Sequence, residues 1–219
     1  MLHGSPSPGV AGSELTRLLA RFAGAPPGDA RPAFAERLGH WLKWTDAALL
    51  SAALNTGVPT PVRGRVAAPG TEEADFQRVR ATLEASIAAG PREATAGAID
   101  FGPYRRHCID QQQAMDAAIG ALRQRLREAL SRRSSELARL AAIDAVMDQT
   151  LAARERGLLG LVPLRLREHF ERLQRAAPVD GDGAATLRDD LDRVLRAELA
   201  HRLLPAQGLL DTLNTHPPT

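Results

Sequence analysis

Residues 104–130 run YRRHCIDQQQAMDAAIGALRQRLREAL, and this stretch decides the fold. Tyr104, Cys108, Met115, Ile119, Leu122, Leu126 and Leu130 recur at three, four or seven residues. That spacing keeps side chains on one side of an α-helix. The same period continues through Leu137, Leu140, Met147 and Leu151. The other side carries arginine, glutamine and glutamate, which have good helix propensity and stay in water. The region from Tyr104 to about Arg175 is therefore a helical spine with one dry and one wet face. Arg132-Arg133-Ser134-Ser135 interrupts the stripe. Ser135 is a possible cap for a second helix, but without Gly or Pro the sequence favours one helix running through, like a coiled coil of imperfect register.

Composition agrees with an all-helical chain. Of 219 residues 44% are apolar but only 4% aromatic, and the bulk is alanine and leucine, with few of the β-branched and aromatic residues that fill strands. The length suffices for one domain with a real core. A single cysteine, Cys108, excludes an intrachain disulfide framework and a cysteine-based metal cluster. No signal peptide and no run of about 20 apolar residues is present, which sets a cytoplasmic location as the expectation. Formal net charge is +2 with a pI near 9.3, poor support for nucleic-acid binding.

Outward from the spine, residues 1–12 are rich in Gly, Pro and Ser and read as disordered. A single helical domain over 13–213 follows, with possible sub-units 13–90 and 100–213, and a frayed tail at 214–219. Ser13 opens a short helix with Leu15, Leu18, Leu19 and Phe22. A second, Pro32 to Leu54, places Phe34, Leu38, Trp41 and Leu42 on one face with Trp44 at its edge. The breaker-rich stretch Asn55 to Gly70 reads as a crossover. Thr71 reads as the N-cap of a helix carrying Phe76, Val79, Leu83 and Ile87, with Glu72 and Glu73 in its first turn. After the spine, Gly157 to Pro163 is a helix junction and Leu164, Leu166, Phe170 and Leu173 face the core. Ala177 to Ala185 is a link. Thr186 caps a last helix with Leu187, Leu191, Val194, Leu195, Leu199 and Leu203, and Gly208 to Leu213 is one more short element. The fold class is all-α: an elongated helical bundle or helical hairpins around a long central amphipathic helix.

Chemistry is sparse. The densest cluster of capable groups, Asp100, Tyr104, Arg105, Arg106, His107, Asp110 and Gln111 to Gln113, lies at the start of the spine. Tyr104, His107 and Gln111 share a helical face, which suits a hydrogen-bonded network or a pocket lining. A catalytic site around Tyr104, His107 and Asp110 is the weaker alternative: no nucleophile accompanies His107, and a His-xx-Asp pair supplies only two metal ligands. No cofactor or metal is implied. Gly157-xx-Gly160 lacks the strand and Lys-Ser/Thr of a phosphate loop. A basic patch around Arg125, Arg132 and Arg139 could meet phosphates, but nearby acids dilute it and no aromatics interleave for bases, which argues against nucleic acid.

The run Phe34-Ala-Glu-Arg-Leu-Gly-His-Trp-Leu-Lys-Trp-Thr-Asp-Ala through Leu54, the Phe101 to Gln113 block, the Leu158-Leu-Gly-Leu-Val-Pro163 junction with Phe170, and the end helix from Ala197 to Leu209 together resemble the proteobacterial domain-of-unknown-function family 3348. The resemblance covers nearly the whole chain beyond its first dozen residues. It implies no assigned activity and no functional residues. It does imply a family of beta- and gammaproteobacteria whose members are often encoded near an OmpA-like protein and a large membrane protein, hence an accessory role beside an envelope complex.

The residues favour a non-enzymatic helical adaptor or assembly subunit. It would recognise a protein partner, or a second copy of itself, through Trp44, Tyr104, Arg105, His107 and spine leucines left uncovered, Leu126, Leu130, Leu137 and Leu140.

Overall fold

The structure is a computed structural model that describes residues 14–22, 51–52, 70–91, 100–176 and 182–216. Among the described residues the helices with defined ends are α1 Glu14–Phe22, α2 Thr71–Ala88, α3 Gly102–Arg133, α4 Ser135–Leu159, α5 Val162–Ala176 and α6 Asp182–Thr215. Among the described residues there is no strand, and the architecture is an elongated all-α bundle. The expected helix from Pro32 to Leu54, with Trp41 and Trp44, lies outside the described residues except for Ser51 and Ala52, which are helical.

α3 is the axis of the bundle. At 32 residues it spans about 48 Å at 1.5 Å per residue. Its stripe of Tyr104, Cys108, Met115, Ile119, Leu122, Leu126 and Leu130 is buried, as the periodicity predicts. The 34-residue α6 lies beside it in the same direction, so that Gln112 meets Glu198 and Arg133 meets the carbonyls of Leu213 and His216. α2 runs antiparallel to α3, tying Asp75 to Arg125 and Ser86 to Gln111. α1 rests on α5 and α6: Phe22 stacks on His169 at 4.6 Å between ring centroids, and Arg172 donates to the Phe22 carbonyl.

The spine is not one rod. Ser134 is extended at φ −154°, ψ 163°, and its Oγ accepts the Leu137 N–H at 3.2 Å, ending α3 and capping α4. A serine hydroxyl offers the backbone an alternative to the helical ladder, so the break needs neither Gly nor Pro. α4 folds back antiparallel along α3 and buries Leu137, Ala138 and Ala141 there. A continuous rod would have left the Leu130 to Ala141 stripe bare. The turn is locked by charge. Arg123 reaches Asp148 at 2.6 Å and Asp144 at 2.7 Å, and Arg127 reaches the other oxygen of each at 2.7 Å.

Three boundaries differ from the sequence reading. α2 is capped by Gly70 in the left-handed region, φ +83°, so Thr71 is already the first residue of the helix and not its N-cap. α6 starts at Asp182, before Thr186, inside the stretch read as a link. It also continues through Pro205 to Thr215, absorbing the separate element expected at Gly208. A proline removes one N–H from the ladder. Here the turns on either side of it stay anchored, because Leu203, Ala206, Leu209 and Leu210 are all buried.

Candidate functional site

Helical periodicity places the residues of the Tyr104 to Gln113 cluster on three sides of α3. Tyr104 and Cys108 face the hydrophobic core. Burial, with the Glu198 carboxylate nearby, pushes the Cys108 thiol up to about 12, which makes it a small core hydrophobe. Arg105 and Asp110 are exposed. Tyr104, in the core, thus points away from Asp110 and His107, which line one cleft. Among the described residues no three His, Cys, Asp or Glu side chains come together with metal-binding geometry.

His107 sits between two clefts at the end of α2. One, about 450 Å³, is lined by Gly90, Pro91, His107, Arg188 and Asp192. The other, about 390 Å³, is lined by Ser86, Gly90, Arg106, His107, Asp110 and Gln111. Gly90, at φ +66°, ends α2 in the left-handed conformation and turns the chain away at the cleft floor. Burial holds the imidazole below its ordinary value, against a hydrogen bond to the Ile87 carbonyl and the charge of Asp110, which favour protonation. Gln111 is 6% exposed and donates its amide N–H to Ser86 Oγ at 2.9 Å. The His107 Nε2 and Gln111 Oε1 atoms are buried without a hydrogen-bond partner.

A second polar group lies deeper, between α3 and α6. Glu198 is 0% exposed, accepts from Gln112 Nε2 at 3.0 and 3.1 Å, and pairs with Arg202 at 2.8 Å. Arg202 also pairs with Asp116, and Gln112 with the Leu159 carbonyl at 2.9 Å. Burial raises the Glu198 carboxyl above the usual range, opposed by Gln112 and Arg202. This network fixes the register of α3, α6 and the end of α4, and every member is satisfied. Sequence reading passed over it. Its signal was a Glu and an Arg four residues apart inside the apolar stripe of α6.

The leucines expected to face a partner divide. Leu126 is 1% exposed, Leu130 0% and Leu137 7%, so the chain's own helices cover them; Leu140 stands out at 38%. Leu140 opens a groove of about 430 Å³ between α4 and α6, lined by Ile143, Met147 and Leu151 on one wall and Pro205, Gly208 and Leu209 on the other. From Ala142 to Leu158 no residue of α4 is buried. Gly208 leaves its wall bare: a Cβ there would meet nothing within 4 Å. The groove residues other than Leu140 were legible only as part of the spine stripe, because the opposite wall comes from a helix some sixty residues away.

The basic patch is largely spent inside the chain. Arg125 pairs with Asp75 at 2.6 Å and Arg132 with Glu128 at 3.3 Å; Arg139 also has an interaction partner. Trp44 lies outside the described residues. No helix among the described residues is long and apolar enough to cross a membrane. A family model described as protein of unknown function (DUF3348) matches residues 1–215, and the chain belongs to that family. No curated protein and no solved structure matches the chain.

Proposed function

We propose that this member of the DUF3348 family is a cytoplasmic, non-enzymatic helical adaptor or assembly subunit that receives an amphipathic helix of another protein in the groove between α4 and α6. The observation that carries the reading is the exposed Leu140 in line with the half-buried Ile143, Met147 and Leu151, opposite the shallow wall at Pro205 and Gly208. An apolar helix face at i, i+3, i+7 and i+11 stays in water only at a cost, and a groove of this shape is what a partner helix fills. Met147 adapts its shape to a ligand, and Gly208 permits a close backbone approach. Glu155 lines the groove, and its carboxylate favours a partner helix with a basic residue at that point. The same surface would serve an accessory role beside an envelope complex, the context the family resemblance implies.

A photo-crosslinking residue at Met147 tests this in native cells. The expectation is one discrete adduct, mapped to an amphipathic segment and abolished by Gly208→Trp, which fills the groove from its far wall. Sedimentation distinguishes a second copy from a different protein, since self-association would raise the mass and Met147→Glu would restore the monomer. Crosslinking no stronger than from an exposed control position such as Arg78, in a chain that sediments as a monomer, would falsify the reading.

The nucleic-acid alternative has less support. Arg123 and Arg127 are held by two aspartates, and Arg125 and Arg132 each by one acid, so phosphates would have to compete with existing pairs.

A further inference from the structure

We propose that the junction between α4 and α5 is a contact point for an anionic lipid surface, with Leu158, Leu161 and Leu164 entering the headgroup layer and the arginines around them meeting its phosphates. None of the three leucines lines the α4/α6 groove, so the proposal stands apart from the adaptor reading. Its basis is the way the junction divides its apolar side chains. Leu159, Val162 and Leu166 are buried, and Gln112 donates to the Leu159 carbonyl at 2.9 Å, so this inward set holds the turn to the bundle. Between them Leu158, Leu161 and Leu164 stand out at 52%, 45% and 50% exposure and add nothing to the core. Of the five large hydrophobic side chains exposed among the described residues, three fall within these seven positions. Single exposed leucines need no explanation, but a contiguous group of them marks a contact surface.

The backbone of the turn is paired within the chain. The Gly160 N–H donates to the Arg156 carbonyl at 2.8 Å, the Leu161 N–H to the Leu158 carbonyl at 3.1 Å and the Arg165 N–H to the Leu161 carbonyl at 3.0 Å. Peptide groups that approach an apolar layer have no water to bond, and these bonds replace it. Charge then selects the surface. Within one helical turn of the leucines on either side, Arg154, Arg156, Arg165 and Arg167 outnumber Glu155 and Glu168. Arg165 reaches Glu168 and Arg167 reaches Glu171, but both pairs are solvent-exposed, where an ion pair contributes little and a lipid phosphate can take the place of the acid. Arginine stems lie along apolar surface while the guanidinium stays at headgroup level. A second copy of the chain fits less well: three half-exposed leucines fall far short of the roughly 800 Å² that each partner of a stable dimer buries. A lipid surface needs no matching shape, and apolar burial and attraction to anionic headgroups add together in binding it.

The full-length chain, carrying a polarity-sensitive fluorophore at Leu161→Cys, is titrated at low salt with vesicles of phosphatidylcholine alone or of equal parts phosphatidylcholine and phosphatidylglycerol. Cys108 is fully buried and stays unlabelled. The anionic vesicles should shift the emission to the blue, saturably, and the neutral ones should not. The same fluorophore at Arg78→Cys, an exposed position on α2, should not respond. In vesicle flotation of the unlabelled chain, Leu158→Ser and Leu164→Ser should each weaken binding about tenfold, through lost apolar burial. Arg156→Gln should weaken it about fivefold, through one lost headgroup attraction. All three side chains are exposed, so the variants keep the fold, which helical circular dichroism checks. Equal binding to neutral vesicles, no binding to either kind, or full binding by the leucine variants overturns the proposal. So does a dimer that Leu161→Ser dissociates in a chain that ignores vesicles, which assigns the leucines to a second copy.

Discussion

α3 and α4 are consecutive, similar in length and marked by apolar residues at the same spacing, yet their burial differs. The α3 stripe is enclosed from Tyr104 to Leu130. α4 is anchored only near its two ends, by Leu137, Ala138 and Ala141 at the start and Leu159 at the finish. Between them, grooves of about 490 and 430 Å³ flank the helix, one toward α3 and one toward α6. Periodicity tells which face of a helix is apolar; it does not tell whether the chain has enough neighbours to cover that face. α3 has α2, α4, α5 and α6 around it, whereas among the described residues α4 packs mainly on α3.

The sharpest way to break this contrast is a pair of truncations. Leu130→Ala removes a fully buried side chain and should cost about 3 kcal/mol, whereas Leu151→Ala, at a half-buried position, should cost less than about 1 kcal/mol. Urea denaturation followed by helical circular dichroism measures both. Equal costs would mean that the Leu151 face is covered in solution, and dilution would then show whether a second copy covers it.

How much of this was legible follows from the same contrast. The core face of α3, the C-terminal end of α2 and the start of α5 follow from local rules, because spacing, a glycine and a proline act within one or two turns. The hairpin was legible only as an alternative, through a serine cap weighed against a continuous rod. Its lock joins Arg123 and Arg127 to Asp144 and Asp148 across a turn, and charged residues at helical spacing read equally well as a solvated face. Glu198 and Arg202 were hidden for the same reason: a buried ion pair differs from an exposed one by its surroundings. The His107 cleft was half visible, since His107 and Gln111 share a helix, while Ser86 and Gly90 arrive from α2.

The ionic lock gives the next effect in size. Arg127→Ala leaves Asp144 and Asp148 with Arg123 alone and should destabilise the chain by about 2 kcal/mol, the range for hydrogen bonds between charged partners. An exposed pair such as Arg167 with Glu171 should contribute under about 1 kcal/mol when Arg167 is changed to Ala. Thermal melts at low and high salt separate the two cases. The Arg127 loss should persist at high salt, because its partners are largely shielded from solvent ions, while the Arg167 loss should fade. Parallel salt sensitivity would place the lock on the surface and weaken the case for a fixed hairpin.

The smallest effect tests the break itself, and two adjacent serines make the test internal. Ser134 is the extended residue whose hydroxyl accepts the Leu137 N–H, while Ser135 is the first residue of α4. Ser134→Ala removes the cap and should cost about 1 kcal/mol; Ser135→Ala should stay within about 0.5 kcal/mol, as alanine suits a helix interior. The order follows from the geometry, because only one of the two hydroxyls replaces a missing helical acceptor. Were α3 and α4 a continuous rod in solution, both serines would be interior, and alanine at either would be neutral or stabilising. A stabilising Ser134→Ala would therefore overturn the hairpin, and with it the groove that depends on α4 folding back toward α6. In the combined Ser134→Ala and Arg127→Ala variant the loss should fall short of the sum of the two, since each single variant already weakens the turn that the other device relies on.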